Sequence, residues 1–107
     1  FDCVMPTRNG RNGMLFTKNG IMNMRNEKWK HDFSPIEEDG ASYVDTLYSR
    51  AYLRHLFVSD ELLALQIASL HNLAFYVWLT GEARKHILLD DYAVWKKGMI
   101  ERVTRRL

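Results

Sequence analysis

Met14-Leu15-Phe16-Thr17-Lys18-Asn19-Gly20-Ile21-Met22-Asn23-Met24-Arg25 is the stretch that decides the fold class. Two short runs, 14–18 and 21–25, flank Asn19-Gly20, and both of those residues tolerate positive φ. Such a pair between two strand-like runs predicts a β-hairpin with a two-residue loop. In that register Leu15 faces Met24 and Thr17 faces Met22, which gives one mostly apolar face. Upstream, Phe1 to Met5 reads as the end of a buried strand stopped by Pro6. Asn9-Gly10 and Asn12-Gly13 then make residues 7–13 a glycine-rich, basic loop.

Downstream, Glu27 to Thr46 has no clean period, and Ser34-Pro35 with Asp39-Gly40 marks irregular chain. Helical spacing follows. Ser49 caps a helix carrying Tyr52, Leu53 and Leu56 on one face and Arg50 and Arg54 on another. Ser59, Asp60 and Glu61 open a second helix with Leu63, Ile67 and Leu70 inward. The pattern continues from about His71 to Leu88 on Leu73, Tyr76, Leu79, Ala83 and Ile87, and periodicity leaves open whether the chain kinks near His71. Asp90 and Asp91 begin a last helix with Tyr92, Trp95, Met99 and Val103 inward and Lys96, Lys97, Arg102, Arg105 and Arg106 outward. A short strand, a hairpin and about four helices read as α+β.

The 107 residues bound the chain at one small domain or a piece of a larger one. Apolar residues at 47% and charged ones at 26% exclude a disordered tail. The longest uninterrupted apolar run, Leu73 to Leu79, is far below the roughly 20 residues of a bilayer span, so no membrane partner is expected. Cys3 is the only cysteine, which excludes an internal disulfide and a cysteine-rich metal cluster and suits a reducing, cytoplasmic setting. The net charge of +2 is uneven: +4 over residues 1–30, −5 over 31–48 and +3 over the rest. A basic front segment attracts phosphate, and such asymmetry is a hint of nucleic-acid contact.

Asp2 ends the expected strand, where a carboxylate can act as nucleophile or general base. Arg8 and Arg11 flank Gly10, so their guanidinium forks can take phosphate while the glycine lets a backbone approach closely. No Walker-type or dinucleotide glycine motif is present, and the four histidines have no metal-ligand spacing among themselves.

Residues 1–13, Phe-Asp-Cys-Val-Met-Pro-Thr-Arg-Asn-Gly-Arg-Asn-Gly, resemble the catalytic signature of the tRNA-guanine transglycosylases, also called queuine tRNA-ribosyltransferases. The resemblance continues through Leu15-Phe16-Thr17, Asn23-Met24-Arg25-Asn26, Tyr48 to Leu53 and His71 to Tyr76, fades beyond about Leu88, and is nearest the bacterial type. It implies the C-terminal portion of a (β/α)8 TIM barrel, with 1–13 as catalytic strand end and tRNA-contact loop, 14–48 as hairpin and former zinc-site subdomain, and 49–107 as closing helices. It also implies exchange of the wobble guanine of tRNA for a small deazaguanine base, preQ1 or queuine, in queuosine formation. Asp2 would be the nucleophile and would form a covalent ribosyl ester, the logic of retaining glycosidases. Arg8 and Arg11 would contact the tRNA anticodon loop, and a homodimer would form.

Two departures from the family pattern stand out. The family's structural zinc takes three cysteines spaced Cys-x-Cys-x-x-Cys and a later histidine. Here those positions hold Gly40, Ser42, Asp45 and His71, so only the histidine is retained and no zinc or other cofactor is expected. Apolar packing by Tyr43, Val44, Leu47 and Tyr48 is the expected replacement. The family's base pocket and acid/base carboxylate match nothing in this chain, so the 107 residues alone are expected to be inactive. A non-catalytic subunit, or a tRNA-binding or dimerisation module, is the competing reading.

Overall fold

The computed structural model describes residues 3–107, and Phe1 and Asp2 lie outside it. The architecture is α+β: a two-stranded hairpin and five helices. Helix α1 (Met5–Arg11) leads directly into the antiparallel strands β1 (Met14–Thr17) and β2 (Gly20–Asn23). After a 3-10 turn at Glu27–Trp29 and irregular chain come α2 (Val44–Leu47), α3 (Arg50–Val58), α4 (Leu62–Leu88) and α5 (Tyr92–Val103).

Residues 7–11 of the expected loop over 7–13 are helical, and so is Met5, the end of the expected strand. Pro6 explains the correction, because proline suits a first helical turn, where its missing N–H costs nothing. Gly10, unfavourable in an isolated helix, is buried where α1 crosses α4. A Cβ there would lie 3.2 Å from the backbone carbon and oxygen of Ala68. The glycine does permit a close backbone approach, but to the chain's own helix. Gly13, at φ +87°, ends α1 in the left-handed conformation that glycine accepts most readily.

The hairpin forms in a different register from the one expected. Leu15 pairs with Met22 and Thr17 with Gly20, so the turn residues are Lys18 and Asn19. The slip of two positions keeps every side chain on its expected face. Thr17 fixes this turn: its hydroxyl accepts from the Asn19 and Gly20 N–H groups (3.2 and 3.1 Å) and donates to the Gly20 carbonyl (2.7 Å). Gly20 is needed for a second reason. The C-terminal segment pairs beside β2, with the Ile21 N–H on the Arg105 carbonyl (2.7 Å) and the Leu107 N–H on the Ile21 carbonyl (2.9 Å). A Cβ at position 20 would come within 2.7 Å of the Arg105 carbonyl.

Helix α3 begins as the sequence predicts, with the Ser49 hydroxyl accepting from the Tyr52 N–H (3.1 Å). Tyr52 itself is exposed, and Leu53, Leu56 and Phe57 form the buried face. Two turns then repeat one device. Asp60 (φ +56°) and Asp90 (φ +61°) stand in the left-handed conformation just past α3 and α4. In each the pair of reversed hydrogen bonds of a Schellman ending is made, Asp60 to Phe57 with Glu61 to Leu56, and Asp90 to Ile87 with Asp91 to His86. These aspartates therefore end helices, and α4 starts only at Leu62 and α5 at Tyr92.

Helix α4 runs unbroken through His71. By length and composition it is long and apolar enough to cross a bilayer. Its buried side, however, is Ala64, Ile67, Ala68, His71, Asn72 and Phe75, whereas Leu70, Leu73 and Ile87 of the expected stripe are exposed. Small alanines admit neighbouring backbone, and the two polar residues are inside because other elements satisfy them. The core joins this face to Leu15 and Met22 of the hairpin, Trp29 of the 3-10 turn, Ile36 of the irregular chain, Val44 of α2, and Leu53 and Phe57 of α3. Helix α5 packs on the far end through Met99, and Trp95 stacks on His86 with ring centroids 4.9 Å apart.

Candidate functional site

Two adjacent residues of α4 hold the basic helix α1 and the segment with the expected zinc positions. Asn72 is fully buried and holds the basic region. Its amide NH2 donates to the Pro6 carbonyl (3.0 Å) and the Met14 carbonyl (2.9 Å), and its oxygen accepts from the Phe16 N–H (3.1 Å). One side chain thereby fixes the start of α1 and the first strand against the central helix. Arg8 and Arg11 lie in the last turn of α1 and are both exposed. Among the described residues neither makes an ion pair. Their two guanidinium groups thus stand exposed on a helix whose start is tied to α4. Asp2, the expected nucleophile, falls outside the described residues. Cys3 is exposed and free, and its sulfur accepts from the Met5 N–H (3.4 Å).

His71, one residue earlier, holds the irregular segment. Its Nδ1 is in close contact with Asp45 Oδ1, and its Nε2 lies 2.7 Å from the Phe16 carbonyl. Asp45 is buried in the short helix α2, and its other oxygen accepts from the Ser42 N–H (3.2 Å). Glu37, also buried, joins from the loop and accepts from the Lys18 N–H (2.8 Å). Glu37, Asp45 and His71 bring one ligand-capable atom each within 4.8 Å of one another, the one such group among the described residues.

The charges in this cluster shape one another. Burial on its own would lower the His71 pKa, but the hydrogen bond and charge of Asp45, the Phe16 carbonyl and the Glu37 charge together raise it. Burial raises the Glu37 pKa against the pull of the Lys18 N–H and His71.

Of the four positions at which the resemblance implies zinc, the structure brings the side chains of Asp45 and His71 into contact. Gly40 contributes no side chain, and the Ser42 hydroxyl accepts from the Val44 N–H (3.4 Å). The expected apolar replacement is only partly there: Val44 is buried and Tyr48 half-buried, while Tyr43 and Leu47 are 70% and 62% exposed. Neither run of apolar residues nor spacing marked Glu37 or Asn72 in advance. Asn72 sits inside the quoted block His71 to Tyr76, but its type alone does not reveal a buried amide serving three backbone groups.

Comparison with known proteins gives a family. The family model described as Queuine tRNA-ribosyltransferase matches residues 1–105. A queuine tRNA-ribosyltransferase of Aquifex aeolicus is 43% identical over 107 residues, all of this chain and 28% of that protein. One of Helicobacter pylori is 48% identical over 106 residues, 99% of this chain and 29% of that protein. One of Desulfosudis oleivorans is 48% identical over 98 residues, 92% of this chain and 26% of that protein. The chain thus spans little more than a quarter of the length of the curated relatives it matches.

Proposed function

The chain belongs to the queuine tRNA-ribosyltransferase family, and we propose that it is the C-terminal part of an enzyme that exchanges the wobble guanine of tRNA for a deazaguanine. The observation that carries this reading is the match from residue 1 onward together with a fixed, exposed Arg8–Arg11 pair directly after it. In the proposed reaction the Asp2 carboxylate attacks the anomeric carbon of the ribose, and the bond to guanine breaks as the ester bond forms. Guanine leaves with a proton taken from an acid elsewhere in the protein. The incoming base then gives its ring N–H proton to that same group, attacks the same carbon and returns the carboxylate, so one hard substitution becomes two easier ones.

Arg8 and Arg11 act on the nucleic acid, as donors to backbone phosphate that set its register without reading sequence. The base pocket and the acid/base carboxylate belong to the remainder of a barrel-type protein, so the 107 residues alone do not turn over. In the enzyme the chain works in the reducing cytoplasm as part of a homodimer.

Exchange of labelled guanine into tRNA by the protein carrying this chain is the test. Wild type exchanges, and Asp2→Asn abolishes exchange while tRNA binding persists. Replacing either arginine by alanine weakens tRNA binding and lowers its salt dependence by about one counterion. Wild-type protein that binds tRNA in a salt-dependent way yet exchanges nothing would instead establish the non-catalytic binding module.

A further inference from the structure

The residues at the four expected zinc positions do not fit that metal. A Cβ built on Gly40 would lie 1.9 Å from Asp45 Oδ2 and 2.4 Å from its Cγ, so the carboxylate already occupies the space that a ligand at position 40 would need. Ser42 is spent locally, its N–H on Asp45 and its hydroxyl on the Val44 N–H. His71 meets an oxygen acceptor at each ring nitrogen, the Asp45 carboxylate at Nδ1 and the Phe16 carbonyl at Nε2. Both ring nitrogens are thereby engaged by protein oxygens, and neither is left turned to an open ligand position.

We propose that residues 36–48 are held by a metal-free lock, in which the His71 ring bridges Asp45 and the Phe16 carbonyl in place of a structural zinc, and Gly40 is the residue that makes room for the Asp45 carboxylate. The lock joins three elements through one ring: α2 through Asp45, β1 through Phe16 and α4 through His71 itself. Glu37 adds a second tie, from the loop to the hairpin turn through the Lys18 N–H. No buried side-chain nitrogen or oxygen among the described residues lacks a partner, so the cluster closes without an ion. The coupling between positions is steric as well as electrostatic. A side chain at 40 and the carboxylate at 45 exclude each other, so the glycine and the aspartate have to occur together. The lock concerns how the segment is held, and it stands whatever reaction the whole protein performs.

Metal analysis and thermal melting of the protein carrying this chain, expressed with zinc in the medium, test the proposal. The expected result is zinc far below one per chain and a melting temperature that EDTA does not move. Asp45→Asn, which keeps the shape and removes the charge, lowers the melting temperature, and Gly40→Ala does the same because its methyl meets the carboxylate. The combined G40C/S42C/D45C variant takes up zinc and becomes sensitive to EDTA. One zinc per wild-type chain, with a melting temperature that falls on chelation, overturns the lock. An Asp45→Asn protein as heat-stable as wild type overturns it too. If the variants do not fold, the wild-type zinc content and its response to EDTA decide the matter alone.

Discussion

The basic α1 region and the irregular 36–48 segment are anchored one residue apart on the same helix, yet by opposite chemistries. Asn72 holds α1 and β1 with three neutral hydrogen bonds to backbone. His71 holds the 36–48 segment through a buried carboxylate and a carbonyl. The neutral anchor serves backbone groups that any sequence would supply, so its partners can vary freely in side chain. The charged anchor depends on particular partners, Asp45 and the empty space at Gly40. The difference shows how one central helix can hold α1 with its exposed arginines through one residue and the 36–48 segment through its neighbour.

Breaking the neutral anchor has the largest expected effect. Asn72→Leu strands the Phe16 N–H and the Pro6 and Met14 carbonyls in a buried site, and at about 1–3 kcal/mol for each unsatisfied group the loss is about 4 kcal/mol. Urea unfolding measures it, and tRNA affinity falls with it because α1 loses its seat. Asp45→Asn comes next, at about 3 kcal/mol, since it removes the buried carboxylate that His71 and the Ser42 N–H are packed against. EDTA should add nothing to that loss. If Asp45→Asn proves the costlier of the two by a wide margin, the charged anchor and not the amide is the main support of the fold.

Gly10→Ala sharpens the comparison on the α1 side alone. Its Cβ would press on the Ala68 backbone at 3.2 Å, where neither helix can give without shifting, and about 1–2 kcal/mol should be lost. The exposed Arg8 and Arg11 would move with the helix, so tRNA binding reports the same shift. The smallest effect belongs to the rim of the 36–48 segment. The Ser34 hydroxyl lowers the Asp32 pKa most, with some opposition from burial and further help from the Ser34 N–H and Arg50. A depressed carboxylate pKa stabilises the fold above the unfolded value near 3.8, and that support is lost as pH falls through the lower folded value. Asp32→Asn should therefore be slightly less stable than wild type at neutral pH and equal to it in strong acid. Equal stability across the whole range would remove Asp32 from the account.

The parts of this fold written in local sequence were readable: the hairpin in the Asn19-Gly20 stretch, the Ser49 cap, the inward Trp95 and Met99 of α5. The parts decided by distant contacts were not. Helix α1 exists because Gly10 can lie on Ala68, and the loop-like pair Asn9-Gly10 hides that. The hairpin register turns on the Thr17 hydroxyl and on the Arg105–Leu107 segment beside β2, which is far away in sequence. On α4 the apolar stripe left out Asn72, and the resemblance marked His71 only as a leftover zinc position; both are buried because other elements meet their hydrogen bonds. At the site, residue type and spacing single out Arg8 and Arg11, which the structure leaves exposed, and the absent cysteines were visible at once. What replaced them was not, because Glu37 lies in a stretch without period and the role of Gly40 is only the space it leaves.

Nitrogen NMR of the protein with isotope-labelled histidine tests the central claim most directly, by reading the two ring nitrogens of His71. The metal-free lock predicts signals from both that are unchanged by EDTA or by added zinc. A signal that shifts when zinc is added and returns when it is removed would contradict it.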